Sequence, residues 1–158
     1  MKISKIKNKN NDLVSIVMNC FNGEKYLKEA INSLLAQTYK NWELIFYDNC
    51  STDNSKELIN QFKDSRIKYH FSKKKLSLYK ARNRAIKKSS GPLIAFLDVD
   101  DWWDPKYLSS KKNFFIDKSH DYFYTNISIY HEKKNNFIKY NKFALPSGII
   151  FNNLAKNY

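Results

Sequence analysis

Asp98-Val99-Asp100-Asp101 gathers three carboxylates within four residues, directly after the apolar run Leu93-Ile94-Ala95-Phe96-Leu97. Carboxylates at the mouth of a buried strand repel one another, so they require water, hydrogen-bond donors or a cation. Asp-x-Asp offers two hard oxygen ligands to one divalent ion, and Mg²⁺ or Mn²⁺ suits such ligands. Mg²⁺ commonly takes one or two protein carboxylates and completes its shell with water and substrate phosphate. A solvated acidic turn ahead of a helix, with Asp104 as N-cap and Pro105 as first residue, explains the same residues without an ion. Asp-x-Asp alone favours the solvated turn; the polar clusters upstream shift the balance toward a site.

Those clusters sit at the ends of strands. Val14-Ser15-Ile16-Val17-Met18 reads as a strand running into the turn Asn19-Cys20-Phe21-Asn22-Gly23. A helix follows from about Glu24, with Leu27, Ala30, Ile31, Leu34 and Leu35 at helical spacing on one face. Trp42 to Tyr47 is the second strand and ends in Asp48-Asn49-Cys50-Ser51-Thr52-Asp53. Ser51, Thr52 or Asp53 caps the next helix, whose Leu58, Ile59 and Phe62 point inward. Arg66 to Phe71 alternates as a third strand. Lys73-Lys74-Lys75-Leu76-Ser77 forms a loop, and a third helix covers roughly residues 78–88. Ser90-Gly91-Pro92 turns into the strand 93–97, expected to be central and buried.

The order β-α-β-α-β-α-β predicts an α/β fold, a mostly parallel sheet with helices on both faces and right-handed crossovers. Ligands in such sheets lie beyond the carboxyl ends of the strands, where the strand order switches. The polar clusters follow strands one, two and four, and their convergence on one edge is the main argument for a site. Downstream, the pattern predicts a helix to about Ile116, a strand over residues 122–125 and a hairpin of residues 127–131 and 137–143. A turn at residues 145–148 and a short helix from Ile149 to Asn157 follow. Residues 1–12 read as a basic arm and residues 13–158 as one domain.

The 158 residues suffice for a real core, and 11 Tyr, 11 Phe and 3 Trp argue against disorder. No apolar run is long enough to span a bilayer, and no secretory leader follows the basic start. Cys20 and Cys50 give neither a disulfide framework nor metal spacing, which fits a reducing cytoplasm and two free thiols. The net charge of +13 suggests a polyanionic partner: nucleic acid, an anionic membrane face or a diphosphate substrate. The lysines are spread out, and zinc-finger and RNA-binding motifs are missing. Compositional drift toward lysine, with weak attraction to an anionic membrane, therefore ranks above nucleic-acid binding, and no nucleic-acid partner is expected.

With these residues in view, the chain resembles family 2 glycosyltransferases of the GT-A fold. The resemblance rests on residues 15–27, from Ser15 through Asn19-Cys20-Phe21-Asn22-Gly23 to Leu27, and on residues 33–45, which include Gln37-Thr38-Tyr39 and Trp42-Glu43-Leu44. Asp48-Asn49-Cys50-Ser51-Thr52-Asp53, Ala81-Arg82-Asn83 and Ile94 to Asp101 complete the series in order over about residues 13–108. The resemblance implies a Rossmann-like GT-A domain, C-terminally incomplete, that handles a nucleotide diphosphate sugar. It implies that Asn19 and Phe21 line the nucleoside pocket, Asp48 accepts a hydrogen bond from the base, and Arg82 lies against the nucleotide. Asp98 would touch the ribose or the metal shell, and Asp100 would bind the divalent ion, Mg²⁺ or Mn²⁺.

Three departures stand out. Asn19 occupies a position where the family commonly has proline, and Asp48-Asn49-Cys50 stands where it often has Asp-Asp-Gly. The family's general base, usually an acidic residue in a later segment, has no counterpart before Tyr158. The expected function is sugar transfer from a nucleotide diphosphate donor, such as a UDP-sugar, to a hydroxyl of a saccharide or lipid-linked saccharide in surface polysaccharide or glycolipid synthesis. The expected location is cytoplasmic, with peripheral attachment to the inner membrane face. A non-catalytic nucleotide-sugar-binding remnant and a basic nucleic-acid-binding protein are the competing readings. Trp102 and Trp103 suit either sugar stacking or the core, and His70, His120 and His131 read as structural or solvated.

Overall fold

In the computed structural model the described residues are 12–111 and 128–139. The chain divides into two compact units, residues 1–118 and 119–158. The first contains β1 (Val14–Cys20), α1 (Glu24–Leu35), β2 (Trp42–Asp48), α2 (Ser55–Ile59), β3 (Ile67–Phe71), α3 (Leu78–Ile86), β4 (Leu93–Phe96) and α4 (Tyr107–Ser110). Its sheet has the order β3-β2-β1-β4, with every neighbouring pair parallel. The chain steps outward from β1 through β2 to β3, then crosses to the far side of β1 for β4. The order thus reverses at β1, which is where such sheets hold ligands.

β1 and β2 are apolar nearly throughout because helices cover both faces. Val14, Ile16, Met18 and Cys20 pack with Leu27, Ala30, Ile31 and Leu34 of α1. On the other face Val17, Ile45 and Tyr47 meet Ala81 and Ala85 of α3. β4 departs from the expectation of a buried central strand. Leu93 and Ala95 pack against the core, whereas Ile94 at 39% and Phe96 at 47% exposure point to the other face, which the described residues leave partly uncovered.

A buried charge ties the amino ends of the strands together. Glu43 is 5% exposed and stands opposite Ser15 in the β1–β2 register. Its Oε1 accepts from Ser15 Oγ and from the Ser90 backbone N–H, each at 2.6 Å. Its Oε2 accepts from Lys68 Nζ at 2.5 Å. Ser15 Oγ also accepts from the Gly91 N–H at 2.9 Å. One carboxylate therefore fastens β1, β2, β3 and the turn into β4. Burial pushes the Glu43 carboxyl up, but Lys68, Ser15 and Ser90 outweigh it and bring the pKa down to about 2.

The helix expected from Asp104-Pro105 starts later. Asp104 Oδ1 accepts from the Lys106 N–H and its carbonyl from the Tyr107 N–H, each at 2.8 Å, so a turn precedes α4 at Tyr107. Gln37 holds that turn to the end of α1, donating to the Asp104 carbonyl at 2.7 Å and accepting from the Leu108 N–H at 3.0 Å. The expected hairpin appears in the second unit as antiparallel β5 (Ser128–His131) and β6 (Asn136–Lys139). A 3-10 turn and Asn135 at φ 48° join the two strands. Most of the N-terminal arm, the end of the helix to Ile116, the strand 122–125, the turn 145–148 and the helix 149–157 lie outside the described residues.

Candidate functional site

The loops after β1, β2 and β4 build the carboxyl edge of the sheet. The β1 turn passes through Asn22 at φ 54°, a conformation asparagine tolerates, and reaches Gly23. A Cβ on Gly23 would lie 2.7 Å from Val99 and 2.8 Å from Cys20 Sγ. Glycine there lets Val99, the apolar residue inside Asp98-Val99-Asp100-Asp101, seat against the β1 turn. The acidic cluster is thereby fixed beside the end of β1, and the Asp101 N–H closes its turn on the Asp98 carbonyl at 3.1 Å.

A cavity of about 200 Å³ opens at this edge, lined by Asn19, Cys20, Phe21, Asn49, Lys75, Leu76 and Leu78. Phe21 is 41% exposed, and Lys75 Nζ lies 3.5 Å from its ring centroid. The Asn19 carboxamide is buried with both its nitrogen and its oxygen unpartnered. A buried amide left in that state is costly unless a ligand completes it. Asn49 plays a different part: its side chain donates to the Leu76 carbonyl at 2.8 Å and accepts from the Leu76 N–H at 2.9 Å. That double bond of contacts latches the lysine-run loop to the end of β2 and brings Lys75 to the cavity.

Asp48 is 1% exposed and does not line the cavity. Its Oδ1 accepts from the Ser51 N–H at 2.8 Å and its Oδ2 from the Tyr69 hydroxyl at 3.0 Å. Burial first, then the hydrogen bond to Asp48, raises the Tyr69 phenol and keeps it a donor. Cys20 and Cys50 are free thiols, and burial pushes the Cys20 pKa up. Cys50 carries φ 71°, in the left-handed region, where the resembled family often has glycine.

At the far side of β1, Arg82 reaches from α3 to Asp98, with Nη2 to Oδ1 at 2.8 Å. The guanidinium lies 5.1 Å from the Phe96 ring centroid, and its buried Nε has no partner. Partial burial of its carboxyl, followed by the charges of Asp100 and Asp98, raises the Asp101 pKa. The donor chemistry here fits a hard divalent ion: exposed oxygens with mutual repulsion, and too few of them to close a shell alone. Among the described residues no cluster of three or more metal-ligating side chains is preformed. Such an ion would therefore need substrate oxygens to complete its shell.

Trp103 belongs with the core, stacked on Tyr107 at 4.3 Å between centroids, whereas Trp102 is 37% exposed. His70 is held below its usual pKa by burial and by Lys88 and Lys68. Sequence reasoning missed Asn49, Lys75, Leu76 and Leu78 as cavity residues. The signal for Asn49 was its place directly after β2, while Lys75 and Leu76 become visible only once the latch is drawn.

A parallel sheet reversing at β1, with a cavity and a carboxylate–arginine pair on that carboxyl edge, defines a Rossmann-like domain of the GT-A class. The profile of glycosyl transferase family 2 matches residues 15–157, and the chain belongs to that family. It is 39% identical over 145 residues to the UDP-Glc:alpha-D-GlcNAc-diphosphoundecaprenol beta-1,3-glucosyltransferase WfgD of Escherichia coli, covering 92% of this chain and 56% of that protein. It is 31% identical over 119 residues to the putative teichuronic acid biosynthesis glycosyltransferase TuaG of Bacillus subtilis, covering 74% of this chain and 47% of the relative. The fold is shared with S. aureus TarS 1-349 in complex with UDP-GlcNAc, at a TM-score of 0.62 and 27% identity over 65% of this chain and 31% of that one. The mannosyltransferase PcManGT from Pyrobaculum calidifontis, in complex with GDP-Man and Mn2+, shares the fold at a TM-score of 0.63 and 18% identity over 67% of this chain and 33% of that one. The chain spans about half the length of the curated relatives it matches.

Proposed function

We propose that this chain forms the donor-binding part of a glycosyltransferase that moves a sugar from a UDP-sugar to a hydroxyl of a saccharide or lipid-linked saccharide in cell-envelope polysaccharide synthesis. The observation that carries this reading is the gathering, on one carboxyl edge at the strand-order reversal, of the Asn19–Phe21 cavity and the Asp98–Arg82 pair. The names of the relatives, which act on UDP-Glc and diphosphoundecaprenol-linked sugar or in teichuronic acid synthesis, support the donor and acceptor classes.

In this reading Phe21 gives the nucleoside an apolar face, and the free donor and acceptor of Asn19 meet its polar edge. Asp48, bonded to Ser51 and Tyr69, fixes the end of β2 behind the cavity rather than touching the base directly. Arg82 offsets negative charge developing on the departing diphosphate, in a site where fixed charge needs no reorganisation. Asp98 orients Arg82 and borders the ribose or metal shell, while Asp100 holds Mg²⁺ or Mn²⁺. Such an ion, when bound, supplies Lewis-acid charge to the diphosphate. Peripheral attachment to the cytoplasmic membrane face belongs to the same reading, and no helix among the described residues is long and apolar enough to cross a membrane.

The donor reading is tested by calorimetric titration with UDP, with and without Mn²⁺, beside Asp100→Ala. The expected result is tighter binding with Mn²⁺, with that gain reduced at least ~10-fold in the variant, as loss of a metal ligand commonly requires. Equal affinity with and without Mn²⁺ removes the metal role, and failure of the folded chain to bind UDP removes the donor role.

A further inference from the structure

From Ser65 to Leu97 the chain carries ten lysines and arginines and no aspartate or glutamate. Three of these cations are committed to carboxylates elsewhere: Arg66 to Asp64, Lys68 to Glu43 and Arg82 to Asp98. The Lys73-Lys74-Lys75 run, Lys80, Arg84 and the Lys87-Lys88 pair are exposed and take part in none of the described ion pairs. α3 turns Ala81 and Ala85 into the core. Helical spacing then sets Lys80, Arg84 and Lys87 in one outward row at i, i+4 and i+7. Next to that row Tyr79 is left uncovered, at 63% exposure.

We infer that the outer face of α3, with the lysine loop before it, docks on an anionic lipid surface. A row of cations with a tyrosine next to it matches the headgroup layer of a membrane, where basic side chains meet lipid phosphate and amphipathic rings sit at the interface. Nucleic acid would satisfy the same lysines, but the chain carries none of the zinc-finger or RNA-binding motifs that would read it. Lys75 and Leu78 also line the cavity, so a membrane on this face lies next to the donor site. The inference gives the peripheral attachment proposed above a definite surface. It rests on charge and exposure alone and stands even if the donor reading fails.

The test is co-sedimentation of the 158-residue chain with vesicles of pure phosphatidylcholine and of phosphatidylcholine with 30% phosphatidylglycerol, across a salt series. Binding is expected to the anionic vesicles only, weakening as salt rises. Each basic side chain near such a surface contributes about fivefold, so Lys80→Gln, Arg84→Gln and Lys87→Gln together should weaken binding roughly 100-fold. Lys28→Gln, Lys56→Gln and Lys63→Gln, on or after the helices of the opposite layer, should weaken it far less. Tyr79→Ser should weaken it several-fold, about the loss of one interfacial ring, with an unchanged salt slope. Circular dichroism establishes that each variant is folded. Equal loss in the two triple variants, indifference to Tyr79→Ser, equal binding to neutral vesicles, or tighter binding to single-stranded RNA at the same salt would overturn the inference.

Discussion

The two ends of the same sheet treat a carboxylate in opposite ways. At the amino edge Glu43 is buried and its oxygens are met by Ser15, Ser90 and Lys68, so the charge is fully paired and holds four chain segments together. At the carboxyl edge Asp98, Asp100 and Asp101 crowd one turn with Arg82 as the bonded cation, and Asp101 is pushed toward its neutral form. Unpartnered polar atoms on Asn19 and Arg82, and the left-handed backbone of Cys50, fall on this second edge too. The contrast is one of carboxylates, since Trp42 Nε1 and Ser89 Oγ leave unpartnered polar atoms at the amino edge as well; the paired carboxylate holds the fold together and the crowded ones are left for chemistry.

The largest effect should come from opening the satisfied end. Glu43→Ala strands Ser15, the Ser90 N–H and Lys68 around a cavity, and should cost about 3 kcal/mol of unfolding free energy, read from urea denaturation. The same contact sets an acid limit. The Glu43 pKa is lower in the folded chain than its ordinary 4.5, so its contribution is complete above pH 4.5 and is lost as pH falls toward about 2. Melting temperature should drop steeply across that window in the wild type and less so in Glu43→Gln.

Relieving the other end should work in the reverse direction and on a smaller scale. Cys50→Gly removes a left-handed penalty of about 1–2 kcal/mol at φ 71°, partly offset by the greater freedom of glycine when unfolded. The net gain should be about 0.5–1 kcal/mol, visible as a rise of a few degrees in melting temperature. Asp101→Asn should give the smallest gain, under ~1 kcal/mol at neutral pH. The Asp101 pKa is raised on folding, so its contribution is favourable below its unfolded value and is lost as pH rises through the folded one. The gain should therefore vanish in acid, which a comparison of thermal melts at pH 7 and pH 4 will reveal. If Glu43→Ala proves mild and Asp101→Asn strongly stabilising, the contrast between the edges is wrong.

Much of this was legible in the sequence, for identifiable reasons. The largely apolar runs at Val14 to Met18 and Trp42 to Tyr47, each broken once by a polar residue, announced strands covered on both faces, and the helical spacing of Leu27, Ala30, Ile31 and Leu34 gave α1 its buried side. The polar clusters after three strands marked the site edge because chain direction in a parallel sheet puts them together. Burial of β4 was misread, since an apolar run reports what a strand could bury and not whether both of its faces are covered. The role of Glu43 was hidden because Ser15 meets it only through the strand register and Ser90 through a turn 47 residues away. The saturation of Asp48 by Tyr69 likewise depends on β2–β3 pairing.

The turns after β1 and β2 are stitched by reciprocal bonds. Asn22 N–H donates to Ser51 Oγ at 3.0 Å, and the Thr52 N–H returns to Asn22 Oδ1 at 2.9 Å. The Glu24 N–H donates to Asp53 Oδ2 at 2.9 Å, and the Asn54 N–H to Glu24 Oε2 at 3.1 Å. Neither turn can detach without breaking bonds of the other, so the two form one cooperative opening unit. In hydrogen exchange the amides of Asn22, Glu24, Thr52 and Asn54 should therefore lose protection together, at one rate, as if the two segments were contiguous in the chain.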